Sequence, residues 1–195
     1  MLIVHHLENS RSQRVLWLLE ELGLDYEVKR YERDTETMLA PPELRDIHPL
    51  GKSPLLEDDG VIIAETGVIF EYILDKYAGG RLVFEAGSAE ARALTYWLHY
   101  AEGSAMPPLL MKLVFTRFPS QVPWFIRPLI KGVATKAQDS FINPEVATHV
   151  AYWERSIAGT GWFVGDDFSA ADIMMSFPLE AASSRADAPL SGAIA

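Results

Sequence analysis

IHPLGKSPLLEDDGVIIAETGVIFEYILDKY, running from Ile47 to Tyr77, is the stretch whose reading decides the fold. Two short apolar runs, Pro54 to Glu57 and Val61 to Ala64, flank Asp58, Asp59 and Gly60, a sequence of the kind that closes tight hairpins. Ile69, Phe70, Ile73, Leu74 and Tyr77 then recur at three- and four-residue spacing. That spacing predicts a helix laying one face on the hairpin and ending at Gly79-Gly80. Between strand and helix, Glu65, Thr66 and Gly67 bring side-chain oxygens together with the orphan N–H groups of a helix start. Such a cluster is a seat for a carboxylate with a nearby ammonium, with a plain helix cap as the competing reading.

Ser53-Pro54 heads the first strand, where a residue that cannot donate to a sheet ladder belongs. A cis bond there would turn the N–H and C=O of Ser53 outward to pair with an extended ligand backbone, as an added strand does. Gly51-Lys52-Ser53 also matches the end of a nucleotide phosphate loop. That loop needs a glycine where this chain has Asp46 and a helix where it has Pro54, so the match is discarded.

Upstream, Leu2 to Leu7 reads as a buried strand, Ser12 to Leu22 as a helix with Val15, Leu16, Leu19 and Leu22 inward, and Tyr26 to Tyr31 as a second strand. Gly23 stops the helix, and the strand, helix, strand order implies a right-handed crossover with a parallel pair. Pro41-Pro42-Glu43 opens a short helix that Pro49 ends. The predicted order over residues 1–80 is βαβ, short α, ββα, a small mixed sheet with helices on both faces.

Beyond Gly80 no alternating pattern returns. Residues 81–87 read as a linker, and 88–195 as an all-helical domain. Ser88 caps a helix that continues to about Phe115 with a bend near Pro107-Pro108. Pro119 to Pro123 breaks it, and a further helix spans about Trp124 to Phe141. Asn143-Pro144-Glu145 supplies a cap, a first-turn proline and an acidic first turn for another helix. Ser169 to Asp172 forms a capping box with Asp in place of the usual Glu or Gln, flanked by Phe168 and Ile173. The run from Ala181 to Ala195 is too poor in large apolar groups to predict a packed helix.

With 195 residues and 49% hydrophobic content, the chain can build a real core as one large domain or two small ones. A net charge of −10 argues against nucleic acid and anionic membrane as partners. The absence of cysteine removes disulfides, thiolate metal sites and a protein thiol nucleophile, which fits a cytoplasmic protein. MLIVHHLENS lacks the basic region and long apolar run of a secretory signal, and no run is long enough to span a membrane. His5 and His6, as neighbours on a strand, point to opposite faces and cannot share a metal ion. His48 shapes the turn before Pro49. Trp97, Tyr100, Met106, Met111, Phe115, Trp124 and Phe125 read as core by default, with Tyr100, Met106, Met111 and Phe115 the candidates for lining an apolar pocket.

Taken in order, the Ser53-Pro54 hairpin, the Glu65-Thr66 helix start, the helical second half and the Ser169 to Asp172 capping box resemble the glutathione transferase family over essentially the whole chain. The opening HHLENSRSQRVLWLLEEL is similar to that of bacterial and fungal members. The resemblance implies a thioredoxin-like first domain that binds glutathione and a helical second domain that supplies much of the pocket for a small electrophile. It also implies a homodimer and no metal.

Carried over by position, the backbone of Ser53 would pair with the cysteinyl unit beside Pro54, Glu65 and Thr66 would hold the γ-glutamyl end, and Lys52 would lie near the glycyl carboxylate. Serine-type members place their catalytic hydroxyl four residues before an arginine of the first helix. With Arg14 as that arginine the match falls on Ser10, and Asn9 and Ser12 contest it. Ser12 also reads as the helix N-cap. The lack of cysteine at residues 9–12 argues against the thiol-disulfide branch of the family. A further departure is the small-residue ending, where members normally carry more helix.

The expected activity is conjugation of the glutathione thiolate to electrophiles, or reduction of organic peroxides. The rival is a transferase-like module that keeps the fold and ligand with little turnover.

Overall fold

The computed structural model describes residues 1–185 and divides the chain into two compact units, Met1–Ala91 and Arg92–Ala195. The first unit holds β1 (Leu2–Leu7), α1 (Ser12–Leu22), β2 (Tyr26–Tyr31), the one-turn α2 (Leu44–Ile47), β3 (Leu55–Asp58), β4 (Val61–Ala64) and α3 (Thr66–Tyr77). The sheet order is β2-β1-β3-β4. β1 pairs with β2 in parallel and with β3 antiparallel, and β3 pairs with β4 antiparallel, the thioredoxin-like arrangement.

The right-handed route from β1 through α1 to β2 follows from the crossover that a parallel pair requires. Gly23 ends α1 in the left-handed region at φ 61°, its N–H bonding the carbonyls of Glu20 and Leu19. The hairpin turn is tighter than the sequence suggested. Asp58 belongs to β3, and Asp59 and Gly60 at φ 47° and 83° make the two-residue turn whose twist suits a hairpin. β3 also starts one residue late, at Leu55, because Pro54 has no N–H to give the ladder.

α1 and α3 pack against each other and on the sheet, burying Val15, Leu18, Leu19, Ile69, Phe70 and Ile73. Leu16, predicted inward, is only half-buried, and Leu18 takes its place. β1 is buried on both faces at the centre of the sheet, whereas β2 is an exposed edge rich in charge, as edge strands that must not aggregate usually are.

Among the polar groups buried in this unit, one carboxylate gathers three donors. The Asp58 side chain is 1% exposed, and its Oδ2 accepts from Lys76 Nζ at 2.6 Å, Tyr72 Oη at 2.7 Å and Tyr77 Oη at 2.6 Å. These three donors share a face of α3, so one carboxylate at the end of β3 ties sheet to helix. Charge-assisted hydrogen bonds from Lys76 first, then Tyr77, hold the Asp58 carboxyl well below the usual carboxylate range, and Lys76 is held above its own.

In the second unit, α4 (Ala89–Tyr100), α5 (Met106–Arg117), α6 (Arg127–Ala137), α7 (Asn143–Ile157) and α8 (Ala170–Arg185) account for most residues. Ser88 Oγ accepts the Ala91 N–H at 2.9 Å and caps α4. The bend at Pro107-Pro108 is a wide turn over Ala101–Ala105 joining α4 to α5. A second one, Gln138–Ile142, joins α6 to α7.

That second turn corrects the expected break at Asn143. Asn143 is helical and caps nothing; its amide instead accepts from Lys112 Nζ at 2.5 Å and donates to Asp139 Oδ1 at 3.1 Å. In both places proline rings need room beside the carbonyl four residues back, and widening the helix supplies it without ending the run. The capping box is formed. Asp172 Oδ2 accepts from the N–H of Ser169 at 2.8 Å and its hydroxyl at 3.0 Å, while Oδ1 accepts the Phe163 N–H at 2.9 Å.

α8 is buried through Ala170, Ala171, Ile173, Met174 and Met175, as a helix apolar all round must be. It continues through the small residues Ala181 and Ala182, both buried, which the sequence reading did not expect. The remainder of that small-residue run, 186–195, lies outside the described residues. Trp124 and Phe125, expected in the core, are exposed instead.

Candidate active site

Register alone brings the predicted residues together. Leu55 lies opposite Ala64 in β4 and opposite His5 in β1, so extending both ladders by two residues sets Ser53 level with Thr66 on one side and Leu7 on the other. The start of α3, the head of β3 and the end of β1 therefore share one edge of the sheet. The turn to α1 carries Asn9, Ser10 and Ser12 to the same edge.

The Ser53-Pro54 bond is cis. Ser53 Oγ donates to His5 O at 2.8 Å and accepts the Leu7 N–H at 3.1 Å, so its side chain completes β1's bonding where the β3 ladder stops. Pro54 is buried, and Lys52 is exposed beside it. Gly51 stands at φ 57°, and a Cβ there would come within 2.6 Å of Arg45 Cγ. The loop that delivers Lys52 and Ser53 thus needs glycine at this point. His48 shapes the same loop, accepting the Gly51 N–H on its carbonyl at 2.8 Å and the Leu50 N–H on Nδ1 at 3.4 Å.

Ser10 is 7% exposed and sits in a chain of hydroxyls. Its Oγ lies 2.7 Å from Ser12 Oγ and 3.5 Å from Ser53 Oγ, and accepts the Ser12 N–H at 3.3 Å. Ser12 Oγ lies 2.8 Å from His6 Nδ1 and 3.4 Å from Leu7 O. Ser12 is therefore not the side-chain cap of α1. The cap position is Arg11, whose side chain makes no capping bond, and the Ser12 hydroxyl turns back into the network.

Asn9 stands at φ 51°, a region Asn tolerates better than most residues. Its side chain is exposed and its carbonyl accepts from Arg33 Nη2 at 3.3 Å. Arg14 is buried on α1.

At the other end of the edge, Glu65 holds φ 72° and ψ 126° with its side chain exposed, and makes no side-chain cap bond. A non-glycine residue in that region costs of order 1–3 kcal/mol, and such positions cluster where a ligand is clamped. Thr66 is buried, and the N–H groups of Thr66, Gly67 and Val68 lie ahead of the first helical bond, from Ile69 N–H to Glu65 O at 2.9 Å. The edge thus offers a strand end, a helix N-terminus and a screened hydroxyl. Together they can hold an extended peptide with a carboxylate at one end and present a hydrogen-bond donor to its middle.

Two histidines border this edge, and the surroundings of both favour the neutral imidazole. Burial pushes the His6 imidazole below its ordinary value, helped by Arg30, and burial pushes His5 down likewise, helped by Lys29. His5 Nδ1 pairs with Tyr31 Oη at 2.9 Å and His5 Nε2 lies 3.5 Å from Glu57. The unfolded chain takes up these protons first as pH drops, so stability is full above the ordinary histidine value near 6.5 and declines below it. The midpoint of urea unfolding is expected to be lower at pH 5.5 than at pH 7.5, and equal midpoints would contradict the assignment.

The four candidate pocket residues separate. Tyr100 and Met106 are buried in the helical unit, while Met111 and Phe115 on α5 are half-exposed. Phe115 lines a cavity of about 290 Å³ with Lys112, Thr116 and Gln138. Tyr100 Oη accepts from Trp153 Nε1 at 3.0 Å and pairs with His149 Nδ1, and His149 Nε2 lies 3.4 Å from Glu145. Burial drives the Tyr100 phenol up to about 12. The sequence signal for this trio was Glu145, His149 and Trp153 at four-residue spacing on one face of α7. The link from His6 to Ser12 was also missed, because a single histidine on a strand reads as packing. Among the described residues no cluster of three or more His, Asp or Glu is placed to hold a metal ion, and no helix is long and apolar enough to cross a membrane.

Residues 1–75 match the family model for the glutathione S-transferase N-terminal domain, and residues 124–189 match that for the C-terminal domain. The chain is 40% identical over 190 residues to glutathione S-transferase 1 of Saccharomyces cerevisiae, covering 93% of this chain and 81% of that protein. It is 35% identical over 182 residues to glutathione S-transferase 3 of Schizosaccharomyces pombe, covering 93% and 74%. Among solved structures, a glutathione S-transferase from Actinobacillus pleuropneumoniae superposes with a TM-score of 0.76 at 31% identity, over 97% of this chain and 83% of that one. A glutathione transferase homologue from Lodderomyces elongisporus, with two glutathione molecules per subunit, shares the fold with a TM-score of 0.74 at 19% identity, over 97% and 86%. With a shared fold, two matching domain models and this level of identity, the chain belongs to the glutathione S-transferase family.

Proposed function

We propose that the chain binds glutathione extended along the edge at Ser53 and activates its thiol for attack on small electrophiles. The observation that carries this reading is the hydroxyl chain from His6 through Ser12 to Ser10, beside a peptide of Ser53 that lies past the end of the sheet ladder. The cysteinyl unit pairs with the Ser53 backbone beside Pro54. The γ-glutamyl carboxylate sits on the N–H groups at the start of α3, Glu65 takes the ammonium, Thr66 adds a hydroxyl, and Lys52 faces the glycyl carboxylate. Ser10 is the catalytic donor, with Asn9 and Ser12 beside it in supporting positions.

The magnitudes suffice. A free thiol has a pKa near 8.5, and lowering it by about two units takes about 2.7 kcal/mol of preferential stabilisation of the thiolate. One hydrogen bond to a charged group supplies about 1.5–3 kcal/mol, and a helix N-terminus about 0.3–1 kcal/mol. With Nδ1 of neutral His6 carrying its proton, the imidazole donates to Ser12, Ser12 to Ser10, and Ser10 to sulfur, each bond polarising the next. The thiolate then attacks an electrophilic carbon, forming the carbon–sulfur bond as the leaving group departs. On an organic peroxide the same thiolate would attack oxygen, forming a sulfur–oxygen bond as the O–O bond breaks; the alkoxide leaves as the alcohol with a proton from water, and a second glutathione reduces the sulfenic acid to the disulfide and water. No protein base and no metal enters this scheme. The working form is a cytoplasmic homodimer.

Calorimetric titration with glutathione tests the reading. Saturable uptake is expected, weakened at least about tenfold in Thr66→Val, which strips a hydroxyl from the γ-glutamyl seat. No uptake by the intact protein would refute it. Tight uptake without turnover on any of a panel of electrophiles would favour a binding module instead.

A further inference from the structure

The Tyr100 hydroxyl, in the helical unit, meets a base and an indole at once. Glu145, His149 and Trp153 follow at four-residue spacing on α7 and reach Tyr100 at the end of α4. An indole N–H only donates, so Trp153 Nε1 gives its hydrogen to Tyr100 Oη at 3.0 Å. The phenol O–H is left to donate to His149 Nδ1, and the other ring nitrogen then carries the hydrogen that faces Glu145 Oε1 at 3.4 Å. The order is carboxylate, imidazole, phenol, indole.

Tyr96 stands one turn before Tyr100 on α4, and the two rings stack with centroids 5.4 Å apart and planes 26° apart. Tyr96 is 46% exposed and Tyr100 8%, so the pair runs from water to the core. Trp97 and Tyr152 stand edge-on to the Tyr100 ring at 5.1 and 5.6 Å and keep other molecules off it. Burial holds the Tyr100 phenol protonated, its value driven up to about 12. Losing the proton alone leaves a charge in the core, and losing an electron alone leaves the opposite one. Losing both together leaves a neutral oxygen radical beside an imidazolium that Glu145 faces. Satisfying a buried phenol takes one partner of either kind, whereas a base backed by a carboxylate gives the proton a place to go.

We propose that Tyr100 is a redox-active tyrosine that draws oxidising equivalents in from the surface through Tyr96 and stores them with its proton on His149. The oxidant is an oxygen-centred organic radical of the peroxyl or alkoxyl class. Such a radical takes an electron and a proton from the Tyr96 hydroxyl and leaves as the hydroperoxide or the alcohol. The Tyr96 radical then takes an electron from Tyr100 and a proton from solvent, restoring its O–H bond, while the Tyr100 proton crosses to His149 Nδ1. A soluble one-electron reductant of the thiol or ascorbate class reverses the storage. Its electron reaches Tyr100 through Tyr96, the His149 proton returns to the phenoxyl oxygen, and the reductant's own proton goes to solvent. The radical thus spends its lifetime out of reach of a second chain, with which an exposed tyrosyl would couple. The transfer uses neither glutathione nor Ser10, so it stands apart from conjugation.

Pulsed oxidation of the full chain with azidyl radical, which takes one electron from tyrosine or tryptophan and leaves as azide, tests the proposal by absorbance and electron spin resonance. The wild type is expected to show a tyrosyl signal that outlives that of free tyrosine. Tyr100→Phe, its fold checked by circular dichroism, is expected to lose the long-lived signal and to form more dityrosine between chains. His149→Phe, checked in the same way, is expected to shorten the signal's lifetime with Tyr100 still in place, an effect that a packing role for His149 does not produce. Tyr96→Phe is expected to slow the signal's appearance. An equally long-lived signal in Tyr100→Phe would overturn the proposal, as would an unchanged lifetime in His149→Phe. Loss of the signal in Tyr31→Phe alone would assign it to the similar pairing of Tyr31 with His5 Nδ1, at 2.9 Å, and overturn the proposal equally.

Discussion

Ser10→Ala is expected to lower kcat/KM for conjugation about 30- to 100-fold and to raise the pKa of the bound glutathione thiol by about one to two units. The size follows from one charge-assisted hydrogen bond, about 1.5–3 kcal/mol, present on the thiolate and absent on the thiol. Glutathione affinity should change little, since the proposal gives the backbone and the γ-glutamyl end to Ser53, Glu65 and Thr66. Ser12→Ala should show a smaller rise in the same direction, because Ser12 reaches sulfur only through Ser10. Its main chain still starts α1, so a folding defect is not expected. The readout is the thiolate absorbance of bound glutathione across pH, alongside initial rates. An unchanged thiol pKa with a normal rate in Ser10→Ala would remove Ser10 from the mechanism, and a full effect in Asn9→Ala would move the role to Asn9.

The second large effect concerns stability. Asp58→Ala is expected to destabilise the protein by about 2–3 kcal/mol, through loss of a buried acceptor that serves three donors at once. The cost stays below that of breaking a fully buried pair, because Lys76 is 46% exposed and regains water when its partner is gone. The same carboxylate sets an acid limit. Its folded pKa is depressed, so its contribution is complete above the ordinary aspartate value near 3.9 and is lost as pH falls towards the folded value. Urea unfolding at neutral pH measures the first effect. Below about pH 3 the difference between wild type and variant should narrow, and a difference that persisted there would mean Asp58 acts by packing alone.

Several elements could be read directly from the sequence because one local rule fixed each. β1, α1, β2 and β4 lie where periodicity and Gly23 put them, and the Ser169–Asp172 box was visible as a capping pattern. The convergence of the candidate residues on one edge was legible, since hairpin register carries Ser53 to Thr66 whatever their side chains do. What lay hidden depended on long-range partners. Asp58 reads as a turn residue until α3 is seen to present Tyr72, Lys76 and Tyr77 to it. Asn143-Pro144-Glu145 looks like a helix start, because sequence does not distinguish a proline that breaks a helix from one that widens it. Trp124 and Phe125 were placed in the core on hydrophobicity, which says that a side chain avoids water but not what covers it.

The central claim is a tripeptide thiol lying along the sheet edge with its sulfur at Ser10. The most direct measurement is a crystal structure of the protein soaked with glutathione. It should show the cysteinyl backbone paired with Ser53, the γ-glutamyl carboxylate at the start of α3 and the sulfur within hydrogen-bonding distance of Ser10 Oγ. Glutathione bound away from this edge, or in place with its sulfur turned from Ser10, would contradict the account.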